Sequence, residues 1–165
     1  MKKHNSGTTG YMALKLDMNK AYDQVEWCFL EDLMRKMGFN ERWIGLLMIC
    51  MKLVTNSILV NCETKGVIQP TRGIRQRDPL SHFLFLLCIE GLHGIICQDA
   101  RMGEINGFAL CKIDPKLTHL LFADDSLLFC KANLEECGKV MQILSTYEEA
   151  SSQKPNGDKF VFFCN

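Results

Sequence analysis

The chain has 165 residues, of which 47% are hydrophobic and 23% charged, a composition that suits one globular domain with a buried core. Nineteen basic residues balance nineteen acidic ones, so the zero net charge excludes a global attraction to RNA or DNA, and any nucleic-acid contact must be local. Nine cysteines without a Cys-x-x-Cys pair or a signal peptide argue against a zinc knuckle and a secreted disulfide framework. They favour a reduced, intracellular protein, and no apolar run approaches the ~20 residues that span a bilayer, so no membrane insertion is expected.

The beginning of the chain predicts a lead-in, a strand and a helix. Residues 1–10 are polar and rich in Gly and Thr, which is typical of a loose lead-in, and residues 11–16 have the apolar content of a short buried strand. That strand is expected to end at Asp17. Apolar residues at steps of three and four then predict a helix over residues 20–37, closed by Gly38 in a left-handed cap.

A second helix and a hairpin are predicted next. Asn40 can cap the second helix. Alternating residues over 57–62, with a return at 66–68, predict the β-hairpin. The second helix is expected to bury one apolar stripe, which consists of Trp43, Leu46, Leu47, Cys50 and Met51.

A third helix is predicted from the pair Asp78 and Pro79, because aspartate is a favourable N-cap and proline is well tolerated in the first helical turn. Its apolar positions extend to Cys88. Gly91 and Gly94 are expected to weaken the helix beyond that point.

The last part of the chain predicts an acidic hairpin. Two apolar stretches, residues 120–123 and 127–130, flank Asp124 and Asp125, which indicates two strands that meet at a tight acidic turn. A further helix and a strand at residues 160–163 complete an order of strand, helix, acidic hairpin, helix and strand. This order is typical of an α+β fold in which helices pack on a small sheet.

Three carboxylates are the candidate catalytic residues. Asp17 follows a strand and could equally cap a helix. Asp124 and Asp125 are adjacent between apolar strands, so they repel each other and lose hydration unless a cation neutralises them, although a solvated turn is the alternative. Together the three fit a site for two Mg²⁺ ions about 4 Å apart, which supports in-line phosphoryl or nucleotidyl transfer. The residues alone leave a nucleotidyltransferase, a metal-dependent nuclease and a phosphatase open.

Four segments together resemble one family. LKLDMNKAYD at residues 14–23 resembles the first catalytic motif of non-LTR (LINE-type) retrotransposon reverse transcriptases, and RGIRQRDPLS at residues 72–81 resembles their template and nucleotide motif. FADD at residues 122–125 resembles the aspartate-pair hairpin, and SQKPNGDK at residues 152–159 resembles the lysine-bearing motif. The resemblance is strongest to plant members near the first motif. It implies a reverse transcriptase palm over residues 11–165, a split βαβ sandwich with a small antiparallel sheet packed by helices.

The resemblance also implies a reaction and a set of metal ligands. Relatives of this kind copy RNA into DNA, so the expected partners are an RNA template, a DNA primer and deoxynucleotides, and the expected cofactor is two Mg²⁺ ions. Asp17, Asp124 and Asp125 match the catalytic, metal-associated carboxylates of the family. Asp17 and Asp124 match the more direct ligands.

Four further residues match nucleotide- or template-binding positions of the family. Tyr22 matches an aromatic residue that excludes the 2′-hydroxyl of the incoming sugar, although its helical spacing also suits the core. Gln76 and Arg75 match donors to the template or to phosphate, and a solvated polar loop is the alternative. Lys159 matches a general acid for the leaving pyrophosphate, with Lys154 as the other possible match.

Several departures from the family pattern predict relaxed selection. Arg77 stands where the family has a glycine that lets a nucleic-acid strand approach the backbone. His82 replaces a usual proline, Cys62 lies in a usual Asn-Gly turn, and Pro155 and Gly157 replace apolar residues. Relative to the family, the fingers are expected to be incomplete and the thumb absent, so the isolated chain is expected to be inactive. The alternatives are an inert structural remnant and a nucleic-acid-binding module without chemistry.

The histidines and tryptophans carry no separate signal. The four histidines have no metal-ligand spacing, so they are expected to be surface groups or satisfied, partly buried ones. Both tryptophans follow apolar helix stripes and are expected in the core. These residues are His4, His82, His93, His119, Trp27 and Trp43.

Overall fold

A computed structural model describes residues 10–18, 20–76, 78–109, 116–122, 125–156 and 161–164 of the chain. The predicted lead-in lies outside these residues, apart from Gly10. The described strands and helices follow the order along the chain that the sequence predicts. They are β1 (Tyr11–Asp17), α1 (Trp27–Lys36), α2 (Glu41–Lys52), β2 (Asn56–Val60), β3 (Glu63–Ile68), α3 (Pro79–Arg101), β4 (His119–Phe122), β5 (Asp125–Lys131), α4 (Leu134–Ser151) and β6 (Val161–Cys164).

The main sheet has four antiparallel strands in the order β4-β5-β1-β6, so β1 lies between β5 and β6. Side chains along β1 alternate, with Met12, Leu14 and Leu16 buried and Lys15 and Asp17 half-buried. Because alternate strand residues point to opposite faces, one face packs against helices and the other is open. The α+β fold with a small antiparallel sheet packed by helices is therefore confirmed.

Helix α3 is the central helix of the core. It continues through Gly91 and Gly94 to Arg101, so the expectation that the glycines weaken its end was wrong. A Cβ at position 91 would lie 3.1 Å from Phe29 Cζ, so Gly91 lets α1 pack closely against α3. This packing outweighs the poor helix propensity of glycine. The least exposed α3 side chains are Leu84, Phe85, Cys88, Leu92 and Ile96.

Among the described residues, α3 is also the one helix long and apolar enough to cross a bilayer, with a mean hydropathy of 1.8 over its best 18-residue window. This finding rests on the length and composition of the helix, which the core helix of a globular protein can share. In α3, 39% of that apolar stretch is buried inside the fold, and Phe83 and Leu86 are exposed.

Helix α1 begins at Trp27, well after the predicted start at Lys20. The carbonyl oxygens of Tyr22 and Val25 accept hydrogen bonds of 2.8 Å from the backbone N–H groups of residues 73–74. These tertiary hydrogen bonds hold the segment before α1 as a turn, and no local pattern contains them.

The end of α1 and the cap of α2 were predicted correctly, whereas the buried stripe of α2 was right for Leu47 and Met51 and wrong for Trp43, Leu46 and Cys50. Gly38 has a φ of +82° and ends α1, and the Asn40 side chain accepts a hydrogen bond from the N–H of Arg42. Trp43 is 47% exposed, which contradicts its assignment to the core. Two overlapping apolar stripes satisfy the same helical spacing, and the helix buries the one that was not predicted. That stripe is Ile44, Leu47, Met48 and Met51.

Strands β2 and β3 form the predicted hairpin. Its turn places Asn61 and Cys62 at φ values of 52° and 64°, which are the left-handed conformations of a type I′ turn. Glycine adopts this conformation without a Cβ penalty, so Cys62 is a costly residue at its position. Side chains on both faces of the hairpin are exposed.

Candidate active site

Asp17 and Asp125 are opposed across the centre of the main sheet. Asp17 ends β1, Asp125 begins β5, and the two are direct partners in the antiparallel register. Their neighbours Leu16 and Ser126 are buried, so Asp17 and Asp125 project from the opposite, open face. Directly opposed residues have Cβ atoms about 5 Å apart, so the two carboxyl groups share one small region. Asp124 lies outside the described residues.

Lys15 contributes a cation to this region. Its Nζ atom lies 3.1 Å from Asp125 Oδ1, and the two side chains are 44% and 57% exposed. Like charges directly opposite each other destabilise a strand pair, so the ammonium group offsets part of the repulsion between Asp17 and Asp125. Lys15 was not predicted as a site residue, although a lysine two positions before a strand-terminal aspartate lies on the same face of the strand as that aspartate.

Replacing Lys15 with methionine is expected to raise the affinity of the chain for Mn²⁺ about two- to fivefold, the equivalent of the up to ~1 kcal/mol that an exposed pair contributes. The divalent ion no longer competes with the ammonium group. Loss of the free Mn²⁺ electron paramagnetic resonance signal measures the affinity. Lys65→Met is the control, because Lys65 also forms an exposed strand ion pair, with Glu63 at 3.3 Å. Equal Mn²⁺ affinities for the two variants would contradict the expectation.

A cleft of about 470 Å³ opens beside the end of β1. The ring of Tyr22 stacks on Phe85, with centroids 4.7 Å apart and planes 19° apart, and its hydroxyl group lies 3.4 Å from His82 Nδ1. Tyr22 therefore packs against the core and also lines the cleft, so both expectations for this residue are compatible. The cleft is lined by Met18, Lys20, Ala21, Tyr22, Gln76, Asp78 and His82.

The loop before α3 borders the same cleft. Gly73 anchors this loop, because its carbonyl oxygen accepts a hydrogen bond of 2.7 Å from Trp27 Nε1 and its N–H donates to residue 25. Gln76 is exposed, with Nε2 3.4 Å from Asp23 Oδ1, and Arg75 is exposed beside it. Both side chains can therefore reach a ligand in solution. Arg77 lies outside the described residues.

The lysine-bearing segment runs beside Asp17. The backbone N–H of Asn156 donates a hydrogen bond of 2.8 Å to the carbonyl oxygen of Asp17, and Pro155 forms a β-bridge with Met18. Because Asn156 is the donor, the missing N–H of Pro155 does not affect this bond. Pro155 is also buried, so the fold accommodates this departure from the family pattern.

Of the two lysines in that segment, the structure describes only Lys154. Lys154 is exposed, and its Nζ lies 3.7 Å from Glu148 Oε1, so this side chain is directed toward α4. Lys159 lies outside the described residues.

Gln153 is a supporting residue that the sequence analysis missed. Its side chain is fully buried, its Nε2 donates a hydrogen bond of 2.9 Å to the carbonyl oxygen of Ala21, and its Oε1 accepts one from the hydroxyl of Tyr147. It thus connects the segment after Asp17 to α4. Glutamine is usually exposed, so no pattern in the sequence indicates this burial.

Comparisons with known proteins identify the family of the chain. All of residues 1–165 match the family described as reverse transcriptase (RNA-dependent DNA polymerase). A type-1 retrotransposable element R2 polyprotein of Nasonia vitripennis is 32% identical over 73% of this chain and 11% of its own length. The transposon TX1 149 kDa protein of Xenopus laevis is 26% identical over 88% of this chain and 11% of its own.

A plant protein is also similar. An uncharacterised mitochondrial protein of Arabidopsis thaliana is 41% identical over 41% of this chain and 56% of its own length. The chain thus spans between 11% and 56% of the length of these three relatives.

Solved structures share the fold at low identity. Apo telomerase from Candida tropicalis, truncated from its C-terminal domain, has a TM-score of 0.72 and 16% identity over 98% of this chain and 32% of that chain. Telomerase from Candida albicans, in complex with a fragment of telomeric RNA, has a TM-score of 0.65 and 16% identity over 93% of this chain and 27% of that chain. The family match, the retrotransposon relatives and this fold lead to one conclusion. The chain belongs to the reverse transcriptase family, and its relatives include polyproteins of non-LTR retrotransposons.

Proposed function

We propose that this chain is the palm of an RNA-directed DNA polymerase from a non-LTR retrotransposon, in which Asp17, Asp124 and Asp125 hold two Mg²⁺ ions. The main support is the register of β1 with β5, which opposes Asp17 and Asp125 on the open face of the sheet. Members of the family use divalent metal ions. Carboxylate oxygens are the ligands that Mg²⁺ prefers, so the donor set fits the ion.

The three carboxylates are proposed to differ in role. Asp125 is paired with Lys15, so part of its charge is already balanced. Asp17 and Asp124 are proposed as the more direct ligands because they match the more direct ligands of the family. When bound, the ions stabilise the attacking and leaving oxygens of an in-line nucleotidyl transfer.

The cleft residues are proposed to bind and orient the nucleotide and the template. Tyr22 is immobilised by its stacking on Phe85, so its ring can limit the space beside the 2′ position of the incoming sugar. Gln76 offers an amide at the cleft, and the exposed Arg75 before it in the loop offers a guanidinium, for a template base or a phosphate. The chain has zero net charge, so contact with an RNA template and DNA primer depends on such local donors.

Lys159 is proposed to protonate the leaving pyrophosphate, and Lys154 is the other residue that can do so. Replacing each lysine in turn with methionine and measuring the pH profile of incorporation distinguishes the two. The profile changes only when the general acid itself is removed.

Primer extension on an RNA template with Mg²⁺ tests the proposal. Asp17→Asn and Asp124→Asn are each expected to reduce nucleotide incorporation by about 100-fold or more, since each removes one metal-binding charge. Asp32→Asn is the matched control, because Asp32 is an exposed carboxylate on α1 that pairs with Arg35. Incorporation that survives both active-site changes would exclude these residues as the catalytic carboxylates.

A catalytically inert remnant of the same kind of element is the second candidate. It is favoured by Arg77, which stands in the sequence where the family pattern has a glycine that admits a nucleic-acid strand. Arg77→Gly tests it in the same assay. Incorporation by the unmodified chain excludes the remnant, whereas incorporation that appears only in Arg77→Gly supports it.

A further inference from the structure

A second cluster of metal-ligating side chains lies where α3 contacts β4. His93 and Cys97 are four residues apart on α3 and share one face of the helix, and His119 is the first residue of β4. One ligand atom from each residue lies within 4.8 Å of the other two, and no other such group of three occurs in the described part of the chain. His93 and His119 are half-buried and have hydrogen-bond partners, as the sequence predicted.

The three side chains are already aligned by hydrogen bonds. His93 Nδ1 lies 2.7 Å from His119 Nε2, and Cys97 Sγ lies 3.5 Å from His93 Nε2. Thr118 Oγ1 lies 2.8 Å from His119 Nδ1. Because Thr118 engages Nδ1, the Nε2 atom of His119 faces the cluster, which is the way an outer partner orients a metal-ligating histidine.

We propose that His93, Cys97 and His119 bind a transition-metal ion of the Zn²⁺ class. Imidazole nitrogen and thiolate sulfur are the donors that such an ion selects, whereas Mg²⁺ selects oxygen. In a tetrahedral zinc site two nitrogens lie about 3.3 Å apart and a nitrogen and a sulfur about 3.6 Å apart. His93 Nδ1 lies 2.7 Å from His119 Nε2 and 3.8 Å from Cys97 Sγ, which approach these values, so small rotations of the two rings admit the ion. Three protein donors leave one position for water.

The position of this cluster defines what the ion would do. Strand β4 is at the edge of the main sheet and ends at Phe122, two residues before Asp124 in the sequence. An ion held by two residues of α3 and one of β4 connects the edge strand to the central helix. It would thus stabilise the hairpin of the candidate active site without contacting its carboxylates.

Cobalt spectroscopy tests the proposal, with a phosphine in place of a thiol reductant. The unmodified chain is expected to give a thiolate-to-cobalt charge-transfer band and intense visible bands of a tetrahedral Co²⁺ ion, which Zn²⁺ abolishes and Mg²⁺ does not. Cys97→Ser should lose the charge-transfer band. Cys137→Ser should keep it, because Cys137 is a half-buried cysteine on α4, outside the cluster. Thr118→Val is expected to weaken Co²⁺ binding about tenfold, since it removes the partner of His119.

A second measurement keeps the test independent of variant folding. Zn²⁺ at about 100 times its dissociation constant should raise the melting temperature of the unmodified chain by roughly 5 °C or more. This shift should disappear in His93→Gln, whose fold is checked by circular dichroism without metal. The absence of a tetrahedral Co²⁺ spectrum, or equal spectra for Cys97→Ser and Cys137→Ser, would overturn the proposal. Neither result bears on polymerase activity.

Discussion

Replacing Gly73 with alanine is expected to lower the free energy of unfolding by about 2–4 kcal/mol. Gly73 has a φ of +85°, which disfavours any residue with a Cβ, and a Cβ there would lie 2.7 Å from the carbonyl oxygen of Asp23. Backbone atoms cannot move aside as a flexible side chain can. The alanine variant must therefore shift the loop and weaken its hydrogen bond to Trp27.

Urea denaturation of the Gly73→Ala chain measures this loss. Gly45→Ala is the control, because Gly45 lies in α2 with no atom within 4 Å of an added Cβ. That change should stabilise the helix by up to about 1 kcal/mol. The same loop places Gln76 at the cleft, so Gly73→Ala should also reduce primer extension if the proposed function is correct. An unchanged urea midpoint for Gly73→Ala would contradict the expectation.

The second large effect is expected for Gln153→Met, at about 2–3 kcal/mol of unfolding free energy. Methionine fills a similar volume but cannot donate to Ala21, whose carbonyl oxygen then lacks its 2.9 Å hydrogen bond. The Tyr147 hydroxyl loses its acceptor on Gln153 and retains the Cys88 carbonyl oxygen at 3.1 Å. Burial raises the pKa of Tyr147, so its hydroxyl stays protonated and must donate.

Thermal or urea unfolding of Gln153→Met tests this expectation against Gln142→Met. Gln142 is exposed on α4, so its replacement should change the stability by less than about 0.5 kcal/mol. Similar stability losses for the two variants would show that the buried amide contributes no more than an exposed one. The hydrogen-bonded segment follows Asp17, so the Gln153→Met chain should also exchange the backbone hydrogens of this segment faster.

Two kinds of metal site are proposed in one small fold, and their chemistry separates them. The carboxylates on the open face offer only oxygen, which suits a hard ion such as Mg²⁺. The cluster of His93, Cys97 and His119 offers nitrogen and sulfur, which suit Zn²⁺. Mn²⁺ binding that responds to Lys15 and Co²⁺ spectra that respond to Cys97 can therefore be assigned to different sites.

Sequence patterns predicted the structure correctly where the stabilising interaction involves only residues that are neighbours in the chain. Asn40 and Asp78 accept hydrogen bonds from the backbone two residues ahead, so a short window of sequence contains the whole interaction. Gly38 ends α1 through its own backbone conformation. The ordered motifs likewise predicted the reverse transcriptase family, because a sequence motif is inherited within a family and can be recognised before any contact between residues is known.

The errors occurred where distant residues decide the structure. The start of α1 depends on hydrogen bonds from residues 73–74, and the choice between two apolar stripes on α2 depends on which neighbour covers the helix. The site shows the same division. The candidate aspartates and the fold class could be predicted from the sequence by itself, since strand-flanking carboxylates and the periodicities of strands and helices are local patterns.

Only the tertiary structure shows that Asp17 opposes Asp125 and that Lys15 forms an ion pair with Asp125. It also shows that Gln153 is buried and that His119 lies near Cys97. Each of these relations joins side chains on different elements or depends on the face that a strand presents. Register and packing determine such distances, and neither is contained in a stretch of neighbouring residues.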